Sequence, residues 1–412
     1  MKLVKMLLLT LIGLLIISTF VFADSGRIYG KIVTVDGDEF QGPIRWDKNE
    51  GNWVDILDGN KNLDKHKKSN RKKYSRNRDR DATIELFGIK IGSGHSSVSW
   101  SSSAQSGIKF GHIKTLKVIN DDALLTLKNG NEVEIYNSST DIGSNVREIV
   151  IEDENEGELE LVWDDIDYIE FMDSDDNYKS NFGERLYGTL TTRRGDEFTG
   201  YICWDVDELF TNDILDGDYK GRRRKIKFGK IQSIERYSSS GAKVILRNDD
   251  ELVLKGTNDV NSSNSGIIVS DIDFGQVIVD WDEFDELIFH EPNNKLKYSQ
   301  FDGGKALYGT VYTEDGDELV GKIRWDNDEE YTWEILDGNY HKIEYDIEFG
   351  QIKSIEKRSY RSAIVTVWDD RSFTLKGSND VDDDNKGIFV LLDDGEEVEV
   401  DWEDFEKVEF KK

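Results

Sequence analysis

The sequence predicts an all-β protein made of three tandem repeats of about 105 residues. The first observation is a set of landmarks, Tyr-Gly, Gly-Asp-Glu, Trp-Asp and Ile-Leu-Asp-Gly, that recurs in this order from Tyr29, Tyr187 and Tyr308. The second is a gap-free offset of 121 residues between the last two copies, which holds as far as Phe289 and Phe410. The third is the alternation of apolar and polar residues, which is typical of strands with one buried face.

The N-terminal segment is expected to be removed rather than to join the fold. Lys2 and Lys5 precede an apolar run from Met6 to Ile17, and Ala23 supplies the small residue that signal cleavage needs. Residues 1–23 are therefore predicted to be a signal peptide, so that the mature chain is periplasmic, on the cell surface or secreted. An uncleaved anchor is the alternative, because the segment is about long enough to span a bilayer.

The landmarks also set the predicted domain boundaries. Repeat 1 covers residues 24–172 and carries an insertion at about 60–100, because its offset from repeat 2 falls from 158 to 118 across that stretch. Repeat 2 covers residues 185–290 and repeat 3 covers residues 306–412. The polar segments 173–184 and 291–305 are predicted to be linkers whose aromatic residues pack on a neighbouring repeat.

Each repeat is expected to contain its elements in one order. A first hairpin turns at a glycine that can adopt a positive φ, which is Gly37, Gly195 or Gly316. The second strand of this hairpin ends at Trp-Asp, and the Ile-Leu-Asp-Gly strand follows. Two later stretches then share one ending, in which a tight segment separates two strands. The apolar residues three apart in that segment predict a single 3₁₀ turn.

The two similar endings predict that a repeat contains either two small barrels of about 50 residues or one β-sandwich-like unit. The opening hairpin of repeat 3, with Asp315-Gly316, Gly321 and Trp325-Asp326, resembles the first motif of SH3-like and Sm-like small barrels. The resemblance covers roughly 20 residues of each repeat and implies five-stranded barrels. The N-terminal helix of the Sm pattern is not present in the sequence, so the resemblance does not extend to RNA binding.

Composition restricts the partners. The formal charge of −31 repels nucleic acid, anionic lipid and acidic glycans at long range, so no nucleic-acid partner is expected. Cys203 is the single cysteine, so no intramolecular disulfide can form and the repeats must rely on apolar cores. Cys203 aligns with Arg45 and Arg324, and this alignment predicts that its side chain faces solvent.

Basic residues follow the Ile-Leu-Asp-Gly landmark in two repeats and are candidates for binding anionic polymers. The candidates are Lys67, Lys68, Arg71, Lys72 and Lys73 in the insertion of repeat 1 and Arg222, Arg223 and Arg224 in repeat 2. One alternative is a solvated, disordered loop, so that residues 61–80 would be mobile. The other is a loop that docks on the acidic surface of a neighbouring repeat.

An acidic turn in repeat 3 is a candidate calcium site. Asp380, Asp382 and Asp384 place three carboxylates within five residues, which is a spacing that a hard cation can use. The alternative is an Asx turn between two strands. The position of Asp380 also carries Asp141 in repeat 1 and Asp259 in repeat 2, and these side chains are expected to accept hydrogen bonds from backbone amides.

The tryptophans fall into two groups. Recurring positions are predicted to lie in the core, although exposed rings that stack on sugars are the alternative; they are Trp46, Trp163, Trp204, Trp281, Trp325 and Trp402. The other four do not recur and are predicted to be exposed contact residues; they are Trp53, Trp100, Trp333 and Trp368.

No catalytic or cofactor motif is visible, and the five histidines share no repeat position. The sequence therefore predicts a non-catalytic, exported β-repeat protein that acts as a binding or scaffold module in the bacterial envelope or outside the cell. Its partner is expected to be a protein or a glycan. The alternatives are a calcium-stabilised adhesion-type protein, a binder of anionic polymers through the basic loops and, last, a hydrolase.

Overall fold

The computed structural model describes residues 26–62, 72–74, 103–174, 180–294 and 296–412. Strands make up 56% of the structure, which confirms the all-β class. The helical pieces of the described chain are single 3₁₀ turns. They are Phe110–His112, Gly143–Asn145, Trp163–Asp165, Phe228–Lys230, Asn258–Val260, Tyr298–Gln300 and Phe349–Gln351. Among the described residues, no helix has the length and hydropathy that crossing a bilayer would require.

Repeat 1 contributes eleven strands to the described part of the chain. They are β1 (Tyr29–Thr34), β2 (Glu39–Trp46), β3 (Ile56–Asn62), β4 (Lys72–Lys73), β5 (Ser103–Lys109), β6 (Ile113–Ile119), β7 (Asp122–Leu127), β8 (Glu132–Ile135), β9 (Ile149–Asp153), β10 (Gly157–Leu161) and β11 (Ile166–Phe171). Eight of them form one sheet in the order β10-β9-β2-β1-β11-β6-β7-β8, and β3 pairs with β5 in a separate hairpin. The insertion therefore lies between the two strands of this hairpin.

Repeat 2 contributes ten strands. They are β12 (Tyr187–Thr192), β13 (Glu197–Trp204), β14 (Ile214–Tyr219), β15 (Arg222–Lys227), β16 (Ile231–Ser238), β17 (Gly241–Leu246), β18 (Glu251–Lys255), β19 (Ile267–Asp271), β20 (Gly275–Val279) and β21 (Phe284–Phe289). Their sheet runs in the order β15-β14-β18-β17-β16-β21-β12-β13-β19-β20 and then continues into repeat 3.

Repeat 3 contributes the last ten strands. They are β22 (Tyr308–Thr313), β23 (Glu318–Arg324), β24 (Ile335–Tyr340), β25 (Ile343–Glu348), β26 (Ile352–Ser359), β27 (Ser362–Val367), β28 (Ser372–Leu375), β29 (Ile388–Leu392), β30 (Glu397–Val400) and β31 (Phe405–Phe410). The hairpin β24-β25 extends the sheet of repeat 2, and the remaining strands form a sheet in the order β28-β27-β26-β31-β22-β23-β29-β30-β4. None of the four sheets closes into a barrel.

The strand pairings recur at equivalent residues. The first strand of each repeat pairs with the last one, and the opposed residues are Gly30 and Phe171, Gly188 and Phe289, and Gly309 and Phe410. The opening hairpin is thus bonded to the end of its own repeat. Strands of both predicted half-units therefore lie in one sheet of each repeat, although β3-β5 of repeat 1 form a separate hairpin and β24-β25 join the sheet of repeat 2.

Close backbone contact explains the glycine on the second strand of the opening hairpin. A Cβ atom at Gly200 would lie 2.4 Å from the carbonyl oxygen of Ser270, and one at Gly321 would lie 2.1 Å from that of Leu391. Neither distance is possible between real atoms, so the neighbouring strand can approach only if glycine is present.

The six recurring tryptophans are buried, which confirms the prediction that they lie in the core. They meet edge to face in pairs; Trp204 and Trp281 have ring centroids 6.3 Å apart, and so do Trp325 and Trp402. The first tryptophan of each repeat donates its indole N–H to the carbonyl oxygen of the recurring aspartate, as Trp325 does to Asp380 at 3.0 Å.

The recurring aspartates brace backbone amides, as the sequence predicts. Asp141, Asp259 and Asp380 each accept a hydrogen bond from the backbone N–H of the Ile-Leu-Asp-Gly aspartate, at 2.8, 2.6 and 2.9 Å. These carboxylates therefore tie the acidic turn of each repeat to the Ile-Leu-Asp-Gly strand.

Two predictions about exposure are wrong, because the repeats pack on one another. Trp53 and Trp333 are buried in the core cluster of repeat 1. The ring centroid of the linker residue Tyr298 lies 4.5 Å from that of Trp53. Cys203 is buried between repeats 1 and 2 instead of facing solvent. Trp368 is half-buried and donates to the carbonyl oxygen of Gly350 at 3.1 Å. Trp100 lies outside the described residues.

Repeats 1 and 2 are joined by two ion pairs whose aspartates have equivalent positions in the two repeats. Arg45 of repeat 1 pairs with Asp213 of repeat 2 at 3.0 Å, and Arg185 of repeat 2 pairs with Asp55 of repeat 1 at 3.0 Å. The two aspartates occupy one repeat position, whereas the two arginines occupy different ones.

The second linker also packs as the sequence predicts. Leu296, Tyr298 and Phe301 join the core cluster of repeat 1. The segment that connects repeats 2 and 3 is therefore anchored on repeat 1, which brings all three repeats together.

Candidate cation-binding site

An acidic cavity lies where the three repeats meet. Its volume is about 630 Å³, and its walls come from the hairpin β3-β5 of repeat 1, from β20 of repeat 2 and from β24, β25 and two turns of repeat 3. Seven carboxylates line it; they are Asp58, Asp328, Glu329, Asp337, Glu344, Asp346 and Asp380. Lys386 is the one basic residue among the lining residues.

Burial and mutual repulsion favour the protonated form of several of these groups. Burial raises the pKa of Asp346 to about 6, although Gln276 donates a hydrogen bond to its Oδ2 at 2.9 Å. Burial, with Asp141 and Asp346 nearby, raises the pKa of Asp58 well above its ordinary value. The pKa of Asp380 is raised in the same direction by burial and by Asp337. A positive charge in the cavity would relieve this repulsion.

Two buried carboxylate oxygens in the wall lack hydrogen-bond partners. They are Oδ1 of Asp328 and Oε2 of Glu329, and each residue is 5% exposed. A buried acceptor without a donor costs roughly 1–3 kcal/mol, and more when it is charged. Neither oxygen is accessible to solvent, and a positive charge bound beside this wall would offset the charge of these acceptors.

The first residue of the insertion already supplies one such charge. Lys61 extends its ammonium group from repeat 1 into repeat 3, where it lies 2.6 Å from the carbonyl oxygen of Asp328 and 2.6 Å from Oε1 of Glu334. Glu329 is 3.7 Å away. Burial disfavours the ammonium group, but Glu334 and Glu329 outweigh it and raise the pKa of Lys61. Lys61 is therefore docked rather than mobile.

The second described part of the insertion docks as well. Lys72 and Lys73 form β4, which pairs with β30 in parallel, and Lys73 lies 2.9 Å from Asp401. Tyr74 donates to Asp317 at 2.6 Å. Of the two alternatives for the basic loop, the described residues follow the one in which it docks on an acidic neighbour. Lys67, Lys68 and Arg71 lie outside the described residues.

The basic residues of repeat 2 occupy a different place. Arg222, Arg223 and Arg224 lie on β15, the outermost strand of its sheet, and are exposed. Arg223 pairs with Asp216 at 3.1 Å. Whether either basic group binds anionic polymers stays a prediction.

The three predicted calcium ligands point in different directions. Asp380 is buried and lines the cavity, whereas Asp384 is exposed. Asp382 accepts the backbone N–H of Asp384 at 3.0 Å, which is the geometry of an Asx turn. Calcium binding by this turn stays a prediction, but its carboxylates do not form a ready set of ligands.

Another acidic group in repeat 2 is more compact. The ligand atoms of Asp205, Asp207 and Glu208 all lie within 4.8 Å of one another. Burial, with Asp207 and Asp259, raises the pKa of Glu208 to about 11. The sequence signal for this group is the run of acidic residues that follows Trp204 and begins with the Trp-Asp landmark.

A buried ion cluster between repeats 1 and 3 was missed by the sequence analysis. Glu348 lies 2.7 Å from Nζ of Lys109 and 3.3 Å from Nε2 of His112. Nδ1 of His112 accepts the backbone N–H of Gly303 at 3.1 Å, and Nε2 faces the carboxylate of Glu348. Lys109 and Glu348 flank the equivalent 3₁₀ turns, but their pairing joins different repeats and has no signal in the sequence.

Comparison of this chain with protein-family models, with curated proteins and with solved structures found no match.

Proposed function

We propose that the chain is a non-catalytic, exported binding and scaffold module made of three repeats, and that it binds a multivalent cation in the acidic cavity. The observation that carries the proposal is the pair of buried, unpartnered oxygens of Asp328 and Glu329 in a wall that holds seven carboxylates. A cation would pair with them and lower the repulsion that raises the neighbouring pKa values.

The size of the cavity favours a ligand larger than a bare ion. A volume of about 630 Å³ exceeds that of one water molecule about twentyfold, since a water occupies roughly 30 Å³. One of its carboxylates comes from repeat 1 and six come from repeat 3, and they are spread over several strands and turns. A hydrated calcium ion or a linear polyamine, whose charges are spaced along a chain, matches such an arrangement.

Titration calorimetry tests the proposal with calcium chloride and with the triamine spermidine, each against sodium chloride of the same ionic strength. Asp346→Asn keeps the size of the side chain and its hydrogen bond from Gln276 but removes one charge from the wall. We expect saturable binding of at least one probe to the wild type, and about three- to tenfold weaker binding to this variant.

Two further variants locate the ligand. Asp393→Asn removes one charge from an exposed turn of repeat 3 and serves as the matched control. Asp384→Asn removes one charge from the predicted calcium turn. If Asp384→Asn weakens binding and Asp346→Asn does not, the ligand sits in the turn. If the wild type binds neither probe beyond the sodium chloride control, the cation proposal is wrong.

The other parts of the proposal rest on sequence patterns. Export rests on residues 1–23, and the mass of the mature protein from a bacterial host tests it, since cleavage before Asp24 is expected. The similarity of the opening hairpin to SH3-like and Sm-like units remains part of the proposal at the level of local structure.

A further inference from the structure

The equivalent edge strands β10, β20 and β30 are covered in different ways. In repeat 2, β20 pairs with β25 of repeat 3, and in repeat 3, β30 pairs with β4 from the insertion. In repeat 1, β10 ends its sheet and pairs with no other described strand on its outer side. An uncovered edge strand presents unpaired N–H and C=O groups and is a template for another strand.

A matching strand is also uncovered. The outer strands of the second hairpins are β5, β15 and β25, and β25 is the partner of β20. Residues 106–109 of β5 are buried, whereas β15 ends its sheet and has exposed side chains at every position except Ile226. Of the two hairpins that resemble β24-β25, the one in repeat 2 is therefore accessible from outside.

The pairing between β20 and β25 fixes the register for an equivalent pair. Gln276 opposes Asp346, and Ile278 opposes Glu344. Moving both strands to the same positions of β10 and β15 places Glu158 opposite Lys225 and Glu160 opposite Arg223. Just beyond the paired strands, the backbone N–H of Glu348 donates to the carbonyl oxygen of Phe274. Glu156 occupies the position of Phe274 and Lys227 occupies that of Glu348, so these two residues also face each other. Three glutamates thus meet three basic residues.

We propose that β10 of one molecule pairs antiparallel with β15 of a second molecule in this register. Backbone hydrogen bonds join the two edges, and opposite charges that face each other across strands stabilise the pair and select the partner. In the junction between repeats 2 and 3, the polar pair Gln276 and Asp346 occupies the place that Glu158 and Lys225 take between molecules.

The contact is heterologous, because the two strands belong to different repeats. A pair of molecules joined by one contact keeps one free β10 and one free β15, so assembly continues into a chain or closes into a ring. The inference goes beyond the proposed cation binding, since it uses other residues. A failure of one leaves the other unaffected.

Light scattering and analytical ultracentrifugation of the purified protein test the inference. At roughly 20 mM salt we expect species of two or more times the monomer mass of 47.3 kDa, or slightly less after signal cleavage, that grow with concentration. They are expected to dissociate at about 0.5 M salt, because ion pairs at an exposed edge are screened.

Charge reversal gives a specific test. E158K/E160K and R223E/K225E should each be monomeric, because like charges then face each other at two of the three charge pairs. An equimolar mixture of the two variants should assemble again, since each new β10 then matches the β15 of the other variant. E132K/E134K makes the same charge change on β8, at the opposite edge of the sheet of repeat 1, and should assemble like the wild type.

A wild type that stays monomeric up to about 100 μM at low salt overturns the inference. So does an oligomer whose mass is unchanged in both charge-reversal variants. Circular dichroism of each variant checks that the exposed substitutions leave the fold intact.

Discussion

One position in each repeat determines whether the aspartate after the first tryptophan has a basic partner. In repeat 1, Arg147 pairs with Asp47 at 2.8 Å, and in repeat 3, Lys386 pairs with Asp326 at 3.1 Å. Repeat 2 has Ser265 at the same position, so no side-chain cation offsets its acidic group. Three acidic side chains lie close together there, and burial raises the pKa of Asp205.

Replacing that serine should stabilise the protein. In Ser265→Lys, the ammonium group can reach Asp205 as Lys386 reaches Asp326, while the backbone N–H of residue 265 still donates to Asp205. We expect a gain of roughly 1 kcal/mol in the free energy of unfolding at pH 7.5, measured with urea. Ser263→Lys adds the same charge two residues away at an exposed position. Equal gains in both variants would show that only the net charge matters.

At the scale of single elements, the 3₁₀ turns connect the repeats. The turns Phe110–His112 and Phe349–Gln351 have the same place in their repeats, and the residues beside them form the buried cluster of Lys109, His112 and Glu348. Burial alone raises the pKa of Glu348, but Lys109 and His112 outweigh it and lower the pKa to about 2. The carboxylate is therefore charged over the whole neutral range and compensates a lysine that has no contact with solvent.

Removing that carboxylate should be costly. Glu348→Gln leaves the buried ammonium group of Lys109 without a counter-charge, with only the carbonyl oxygens of Asp271 and Ile272 at 3.3 and 3.4 Å. We expect the free energy of unfolding to fall by about 3–5 kcal/mol. Glu356→Gln makes the same change at an exposed strand position and should alter stability by less than about 0.5 kcal/mol.

A double-mutant cycle with Lys109→Met completes the test. The double variant should lose much less than the sum of the two single losses, because no charge is then left unpaired. Additive losses would mean that Lys109 and Glu348 do not stabilise each other.

Sequence patterns predict features that form within one repeat better than contacts between repeats. Local patterns correctly predicted the hairpins, the core tryptophans and the bracing role of Asp141, Asp259 and Asp380, because those features depend on alternation and turn chemistry within one repeat. The predicted 3₁₀ turn is present in the first ending of every repeat, but the second ending has it only in repeat 1, at Trp163–Asp165. The burial of Trp53, Trp333 and Cys203 depends on which repeats touch, and periodicity carries no information about that.

The acidic cavity belongs to the same class of missed features. Its carboxylates come from repeats 1 and 3, and a chain with a charge of −31 contains too many acidic pairs for any spacing to single them out. For Lys61, the sequence predicts docking only as the alternative to a mobile loop. It became specific once the structure placed Glu329 and Glu334 beside it.

At the scale of the whole molecule, opposite pKa shifts predict a maximum of stability in mildly acidic solution. Glu348 has a lowered pKa of about 2 in the fold, so its contribution is present above its ordinary pKa of 4.5 and is lost as pH falls towards 2. The acid limb of the stability profile is therefore expected to depend on this group. Glu348→Gln should flatten it.

The alkaline limb should come from the buried carboxyls with raised pKa values. Asp346 and Asp259 have a pKa of about 6 in the fold against an ordinary value of 3.8, so they bind protons on folding, and their contribution is present below pH 3.8 and lost as pH rises through 6. Each group accounts for roughly 3 kcal/mol of the free energy of unfolding, since one pKa unit corresponds to about 1.4 kcal/mol.

Urea unfolding from pH 3 to 8 at constant ionic strength should show a maximum of the free energy of unfolding near pH 4–5. Spermidine or calcium should reduce the loss between pH 5 and 8 in the wild type more than in Asp346→Asn, because a bound cation replaces the proton in the cavity. A stability that rises steadily from pH 4 to 8 would contradict this account of the buried carboxyls.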